Sequence, residues 1–288
     1  MCIRDSGKRL CIRMSGGVAW YPENAVDLDT LKKYADFAMY EVKHSTKGEV
    51  REFDMEHYRA GVYAMEQRSD FEKLIRERRV DYHFQPIVSA HDGHVVAYEA
   101  LMRPQLPTLR SPLTVMQLAS EMGRLYDIEK LTFFRVCECC EALEAAGKLD
   151  ADALIFVNSI ASVSLSDEDW ASYCKAHSAI LPKLVVEITE EEEMNERELE
   201  RKRNVPGSSG VFALDDYGSG YSNELNLLEL SPRYIKIDIS IVRGIDTDRD
   251  KQQIVSNIVA YAHARSMQLI AEGIETEAQL RTVIGPVS

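Results

Sequence analysis

From about residue 81 onward the chain alternates short apolar runs with longer amphipathic stretches, and most of the apolar runs end near an acidic or amide side chain. Residues 81–88, 94–101, 153–158, 183–189, 211–215, 233–238 and 267–271 read as strands. Helical periodicity covers 112–123, 127–147, 166–177, 191–203, 222–229, 249–265 and a stretch from Glu277. This alternation predicts the α/β class, a mainly parallel sheet with helices outside. His91-Asp92-Gly93 joins the first two strands, too short for a right-handed crossover, so that pair is antiparallel. Glu99, Asn158, Glu187, Asp215, Asp216, Asp238 and Glu272 fall at or near the ends of successive runs. In a β/α barrel those ends converge on one face, where sites are built. Carboxylates gathered there repel one another unless cations neutralise them, so divalent metal is expected. The strand count reaches seven, whereas a closed barrel has eight.

With 288 residues, 45% of them hydrophobic, the chain can carry one large barrel and a small extra module. Its 47 acidic and 34 basic side chains give a formal charge of -13. That balance argues against binding to polymeric nucleic acid or to an anionic membrane, but not against a phosphate-bearing ligand held through metal. The six cysteines (Cys2, Cys11, Cys137, Cys139, Cys140 and Cys174) lack the spacing of a disulfide framework, which favours a reducing, cytoplasmic setting. Cys137-Glu138-Cys139-Cys140 lies in a helical pattern with no second ligand pair at zinc spacing, so these read as buried helical thiols. No apolar run approaches a membrane span; a longer parent protein anchored elsewhere stays open.

Before the main domain, residues 9–19 read as a strand whose second half is broken or bulged by Gly16-Gly17. Residues 28–43 form an amphipathic helix and 50–53 a short strand. Met1 to Lys8 read as disordered or vector-derived. From about Met55 to Arg79 the pattern is helical and dense in charge. It suits a helix connecting two modules (55–80), or equally the solvated first helix of the next domain.

Residues 81–288 resemble an EAL domain, the bacterial cyclic di-GMP phosphodiesterase module. The likeness is carried by Phe84-Gln85-Pro86-Ile87-Val88, Glu99-Ala100-Leu101-Met102-Arg103, Phe156-Val157-Asn158 and Val186-Glu187-Ile188-Thr189-Glu190. It continues through Leu214-Asp215-Asp216-Tyr217-Gly218-Ser219-Gly220-Tyr221-Ser222, Ile235-Lys236-Ile237-Asp238 and Ala271-Glu272-Gly273-Ile274-Glu275-Thr276. Residues 1–54 resemble the carboxyl-terminal part of a GGDEF, or diguanylate cyclase, domain, through Ser15-Gly16-Gly17-Val18-Ala19 and the segment Ala35 to Lys43. The signature turn of that family lies upstream of the resembling region, so this segment is expected to be a remnant without cyclase activity.

The resemblance implies a modified TIM-type (β/α) barrel with an antiparallel first strand pair, and hydrolysis of cyclic di-GMP to linear 5′-pGpG. It implies that Glu99, Asn158, Glu187 and Asp215 surround one divalent ion, with Asp215 bridging to a second helped by Asp216. Such oxygen donors suit two ions of Mg²⁺ or Mn²⁺. A metal pair can activate water for an in-line displacement. By the same likeness Lys236 orients the attacking water and Glu272 supports it. Gln85, Arg103 and Asp238 match positions around the substrate, Arg103 offering a bidentate fork to phosphate. Glu190 matches a supporting position. Gly218 and Gly220 let the backbone turn sharply after the ligands, in a loop the family couples to homodimerisation.

Three departures stand out. Pro104 replaces a tryptophan beside the guanine pocket, and Tyr217 and Ser219 replace phenylalanine and threonine. The last strand, with its glutamine-glycine-tyrosine segment, is expected just after Gly285 and is missing. The open edge this leaves would weaken activity, favour a domain-exchanged dimer, or be covered by the N-terminal remnant. Rival readings are a receptor that binds cyclic di-GMP without cleaving it, and a scaffold that only dimerises. Against the receptor stands the presence of Glu99, Asn158, Glu187, Asp215, Asp216, Lys236 and Glu272 together.

Overall fold

The computed structural model describes residues 2–5, 8–11, 14–45, 48–150, 152–189, 196–219, 227–228 and 230–285. The chain divides into two compact units, Met1–Asp70 and Phe71–Ser288. In the smaller unit, β1 (Cys2–Asp5) and β2 (Lys8–Cys11) form an antiparallel hairpin, where sequence suggested disorder. β3 (Gly16–Val18) and β4 (Val50–Glu52) pair in parallel on either side of the helix Leu28–His44 in sequence. The single strand expected over 9–19 is thus two strands, and Gly16-Gly17 lie within the second instead of breaking it. A Cβ at Gly17 would sit 1.9 Å from the Ala35 carbonyl oxygen, so glycine is what lets the helix approach the strand. Asp27 caps that helix by accepting from the Thr30 amide (2.8 Å). Ala38 and Val42 are buried, and Phe53 stacks on Tyr34 with ring centroids 4.1 Å apart.

The charge-dense helix runs unbroken over Met55–Glu77. Its last turns belong to the larger unit, where Phe71 and Leu74 are fully buried in the main core. Seven strands come next: β5 (Val80–Val88), β6 (Val95–Pro104), β7 (Leu154–Asn158), β8 (Leu184–Thr189), β9 (Val211–Tyr217), β10 (Tyr234–Ile237) and β11 (Gln268–Ala271). They lie in one sheet in chain order, β5 to β11, antiparallel between β5 and β6 and parallel thereafter. Strand order without reversal is the winding of a β/α barrel, not of a doubly wound sheet. The antiparallel first pair is as the short turn required. Among the described residues β5 and β11 are the sheet's edges and do not pair, so the sheet is a curled, open half-barrel.

Alternation of side chains sorts the strands into two faces. Outward residues (Tyr82, Ala100, Ile155 and Val157, then Ile188, Leu214 and Ile235) pack under the helices with Phe133, Val136, Tyr173, Leu199 and Val255. Inward residues form a separate apolar layer of Ala97, Phe156, Val185 and Ala213, flanked by Ile87, Leu154, Val211, Tyr234 and Ile270. The thiols behave as structural hydrophobes. Cys137 and Cys140 are buried on the helix Leu125–Ala145, and burial pushes the Cys137 thiol up to about 12. Among the described residues no helix is long and apolar enough to cross a membrane.

Candidate active site

Two residues further along each strand from the apolar inner layer lies a second, polar layer on the same face. Ala97 leads to Glu99, Phe156 to Asn158, Val185 to Glu187, Ala213 to Asp215, Tyr234 to Lys236 and Ile270 to Glu272. Cross-strand register aligns these positions: Gln85 opposes Glu99 and Asn158 opposes Glu187. The apolar layer lies beneath them, so the polar layer faces the carboxyl ends of the parallel strands.

Lys236 stands at the centre. Its Nζ lies 2.8 Å from Glu272 Oε1, 2.9 Å from Glu187 Oε1, 3.0 Å from Asp215 Oδ1 and 3.2 Å from Glu99 Oε2. The lysine and Glu187 are each 1% exposed. Burial alone would lower the lysine's proton affinity, but the surrounding carboxylates overcome it and hold the ammonium well above its ordinary range. Burial raises the proton affinity of Glu187 well above that of an ordinary glutamate, against the pull of Lys236, and raises that of Glu272 as well. Four carboxylates around one ammonium are under-neutralised. Consistent with this, Glu187 has the Lys236 ammonium 2.9 Å from Oε1 as its sole ion-pair partner among the described residues, and Oε2 has no hydrogen-bond partner there.

Asp215 and Asp216 are consecutive, yet both serve the same side. In β10 Ile235 pairs with Leu214 and Ile237 with Tyr217, so β9 carries one extra residue there, a bulge. Asp216 occupies the left-handed region (φ 56°), which an aspartate tolerates better than most side chains. The bulge brings the Asp216 carboxylate back toward its neighbours. Two sets of carboxylates result, Glu99-Glu187-Asp215 and Asp215-Asp216-Glu272, each with ligand atoms within 4.8 Å of one another. They share Asp215. Sets of hard oxygens with an unsatisfied buried carboxylate fit divalent cations of the Mg²⁺ or Mn²⁺ type.

The turns beyond these ligands are closely packed. A Cβ at Gly218 (φ +95°) would meet Ile241 Cδ1 at 2.1 Å, and one at Gly273 (φ +67°) would meet Ile239 Cγ1 at 2.2 Å. Both turns rest on the short helix Ile239–Val242, whose N-cap is Asp238, accepting from the Ser240 amide at 2.8 Å. That capping bond engages one oxygen of Asp238. Gln85 is exposed on edge strand β5, on the face of Glu99. Arg103 shares that face four residues beyond Glu99, half-buried, with Nη1 donating to the Met102 carbonyl (2.9 Å). Glu190 and Gly220 lie outside the described residues, as do Glu191, Glu192 and Glu193.

Sequence reasoning passed over a second buried charge cluster, Glu129 with Lys202, behind the end of β7. A signal existed: Glu129 falls in phase with Thr132, Phe133, Val136, Cys137 and Cys140, the buried stripe of its helix.

The chain and its fold have counterparts among known proteins. The chain is 27% identical to the cyclic di-GMP phosphodiesterase NbdA of Pseudomonas aeruginosa over 283 residues, covering 95% of this chain and 36% of the relative. It is 27% identical over 274 residues to the bifunctional diguanylate cyclase/cyclic di-GMP phosphodiesterase MucR of the same organism, 93% of this chain and 40% of that one. The chain therefore spans well under half the length of these curated relatives. The solved structure of the PaMucR phosphodiesterase in complex with c-di-GMP superposes with a TM-score of 0.64 at 28% identity, covering 75% of this chain and 90% of that one. The EAL domain family model matches residues 68–285, three quarters of the sequence. This chain belongs to the EAL domain family.

Proposed function

We propose that this chain hydrolyses one 3′–5′ phosphodiester bond of cyclic di-GMP to give 5′-pGpG. The observation that carries the reading is the pair of carboxylate sets sharing Asp215 around a buried lysine. Cyclic di-GMP is named by the relatives NbdA and MucR and is bound in the PaMucR structure. Glu99, Asn158, Glu187 and Asp215 would hold one Mg²⁺ or Mn²⁺, and Asp215 with Asp216 and Glu272 a second. Such a pair, when bound, supplies Lewis acidity at the phosphoryl oxygens and a more acidic water.

The chain's own residues do the rest. Lys236 keeps its proton under the influence of its four carboxylates, so it acts as a fixed cationic donor and not as a base. Glu272, beside Asp215 and Asp216 and 2.8 Å from Lys236 Nζ, is placed to accept a proton from the attacking water. The water oxygen bonds to phosphorus as the P–O3′ bond breaks, and the proton that Glu272 takes from the water passes to O3′ as it leaves. Arg103 presents two donors to the phosphate, and Gln85 and Asp238 line the substrate. The segment before Met55 is assigned as the end of a GGDEF-like domain, in keeping with an alignment to bifunctional MucR that covers 93% of this chain. The functional unit is a homodimer joined through the face that follows Asp216.

Incubation with cyclic di-GMP and Mn²⁺, read by chromatography of the nucleotides, tests the reading. The unmodified chain should produce pGpG, and Glu99→Ala and Lys236→Ala should produce none. Intact substrate alongside tight binding by the unmodified chain would make it a receptor instead.

A further inference from the structure

Asn158 is the one neutral side chain in the proposed ligand set. It closes β7 opposite Glu187, and the ladder ends one bond later, at the Ser159 amide. The turn beyond Asn158 is held from outside the sheet by a charge pair that the phosphodiesterase chemistry does not use. Glu129, on the helix Leu125–Ala145, and Lys202, on the helix Glu196–Arg203, are 1% and 2% exposed. Lys202 Nζ donates to Glu129 Oε1, to Ser159 Oγ (2.5 Å) and to the Ile160 carbonyl (2.8 Å), which uses all three ammonium hydrogens. Ser159 Oγ donates to Glu129 Oε1 (2.6 Å), and the Ile160 amide donates to Glu129 Oε2 (3.0 Å). From the other side, the Ser159 amide donates to the Glu187 carbonyl (3.0 Å). Every polar group of the pair converges on residues 159 and 160, immediately after Asn158.

A buried ion pair is a poor device for stability, because desolvation offsets its attraction and an apolar pair of similar volume often serves as well. Its directed bonds serve better to fix a backbone. We propose that Glu129 and Lys202 are positioning residues for Asn158: they clamp the turn at 159–160 so that the Asn158 amide stays in the polar layer beside Glu187. This role rests on the phosphodiesterase reading. Groups that orient a metal ligand from behind change metal affinity or activity by about 10- to 100-fold when removed.

The test is a Mn²⁺ titration of the purified full chain by electron paramagnetic resonance, together with steady-state kinetics on cyclic di-GMP. The double variant Glu129→Leu, Lys202→Met removes both charges without leaving one buried alone. It should weaken Mn²⁺ binding by about 10- to 100-fold. Its turnover should recover as Mn²⁺ is raised, with KM for cyclic di-GMP unmoved. Added to Asn158→Ala it should cost little more, since both changes act through one side chain. Unchanged Mn²⁺ binding, or effects that multiply in the combined variant, would overturn the inference. Should the double variant not fold, Ser159→Ala keeps the ion pair and removes one arm. It should weaken Mn²⁺ binding by about 2- to 10-fold, and no change there overturns the inference equally. An unmodified chain that neither binds Mn²⁺ nor cleaves cyclic di-GMP sinks the phosphodiesterase reading, and this inference with it. An active, Mn²⁺-binding chain with indifferent variants sinks the inference alone.

Discussion

Two lysines are buried in the larger unit, and their surroundings could hardly differ more. Lys202 faces one carboxylate, and the pair with its neighbours Ser159 and Ile160 uses every donor and both carboxylate oxygens. Lys236 faces four carboxylates, and one of them, Glu187, has an oxygen with no hydrogen-bond partner among the described residues. Folding alone tolerates the first arrangement, because charge is balanced and polar atoms are satisfied. The second stores repulsion that one ammonium does not cancel, and a fold keeps such an arrangement where something else supplies positive charge. The contrast separates a buried charge cluster that holds shape from one prepared to bind.

Removing each ammonium gives the largest expected effect. Lys236→Met and Lys202→Met should each cost about 3–5 kcal/mol in denaturant unfolding with chelator present, since each strands buried carboxylate charge. Saturating Mn²⁺ should then restore most of the loss in Lys236→Met, by about 4 kcal/mol at a thousandfold excess over Kd. Lys202→Met should gain no more from Mn²⁺ than the unmodified chain does, because its ligand sets are intact and Glu129 lies in neither, whereas Lys236→Met should gain more than the unmodified chain. Equal rescue of both variants would break the comparison.

How far this was legible in the sequence follows the same division. The polar layer could be read because each of its members sits two residues beyond an apolar inward position, a local pattern with period two. The antiparallel first pair followed from one short turn and the site's location from acidic residues at strand ends, whereas the barrel winding was implied by the family resemblance. The bulge at Asp215-Asp216 was not legible: two adjacent aspartates look the same in a turn and in a bulge, and only the register with β10 tells them apart. The four-fold contact of Lys236 likewise depends on curvature across β6 to β11. Glu129 and Lys202 lie in the helical stretches 127–147 and 191–203, each flanked by other charged residues. Helix phase marks Glu129 as inward-facing, but its pairing with Lys202 comes from packing between elements distant in sequence, which no local window contains.

Proton linkage sharpens the comparison at the carboxylate end. Burial raises the folded-state proton affinity of Glu187 and Glu272 above the ordinary glutamate value of 4.5. Between that value and the raised ones the folded chain binds more protons than the unfolded chain, so stability falls as pH rises. Lys236, raised above 10.5, contributes stability below that pH and loses it only in strong alkali, outside this window. Unfolding midpoints in chelator should therefore decline from about pH 5 upward, and Mn²⁺ should flatten the decline by taking the protons' place. A midpoint that climbs with pH in chelator would mean Glu187 and Glu272 are charged and satisfied, which removes the asymmetry between the two clusters.

The smallest effect concerns the turns that carry the ligands. Gly273 follows Glu272 directly, with a positive φ and the Ile239 side chain where a Cβ would go. Gly123 also has a positive φ (+65°), but nothing lies within 4 Å of its missing Cβ. Gly123→Ala should cost only the conformational strain, about 1–2 kcal/mol. Gly273→Ala adds an overlap with a packed isoleucine, about 1–3 kcal/mol more. The important difference lies in where that strain is relieved. Ile239 begins the short helix that Asp238 caps, two residues past the bond between β10 and β11 near Lys236, so relief must move Glu272 or the helix start. Gly273→Ala should thus weaken Mn²⁺ binding and turnover along with stability, and Gly123→Ala should change stability alone. Mn²⁺ affinity unchanged in Gly273→Ala would mean that the Glu272 turn yields without moving its carboxylate, and that this ligand is held by Lys236 more than by its backbone.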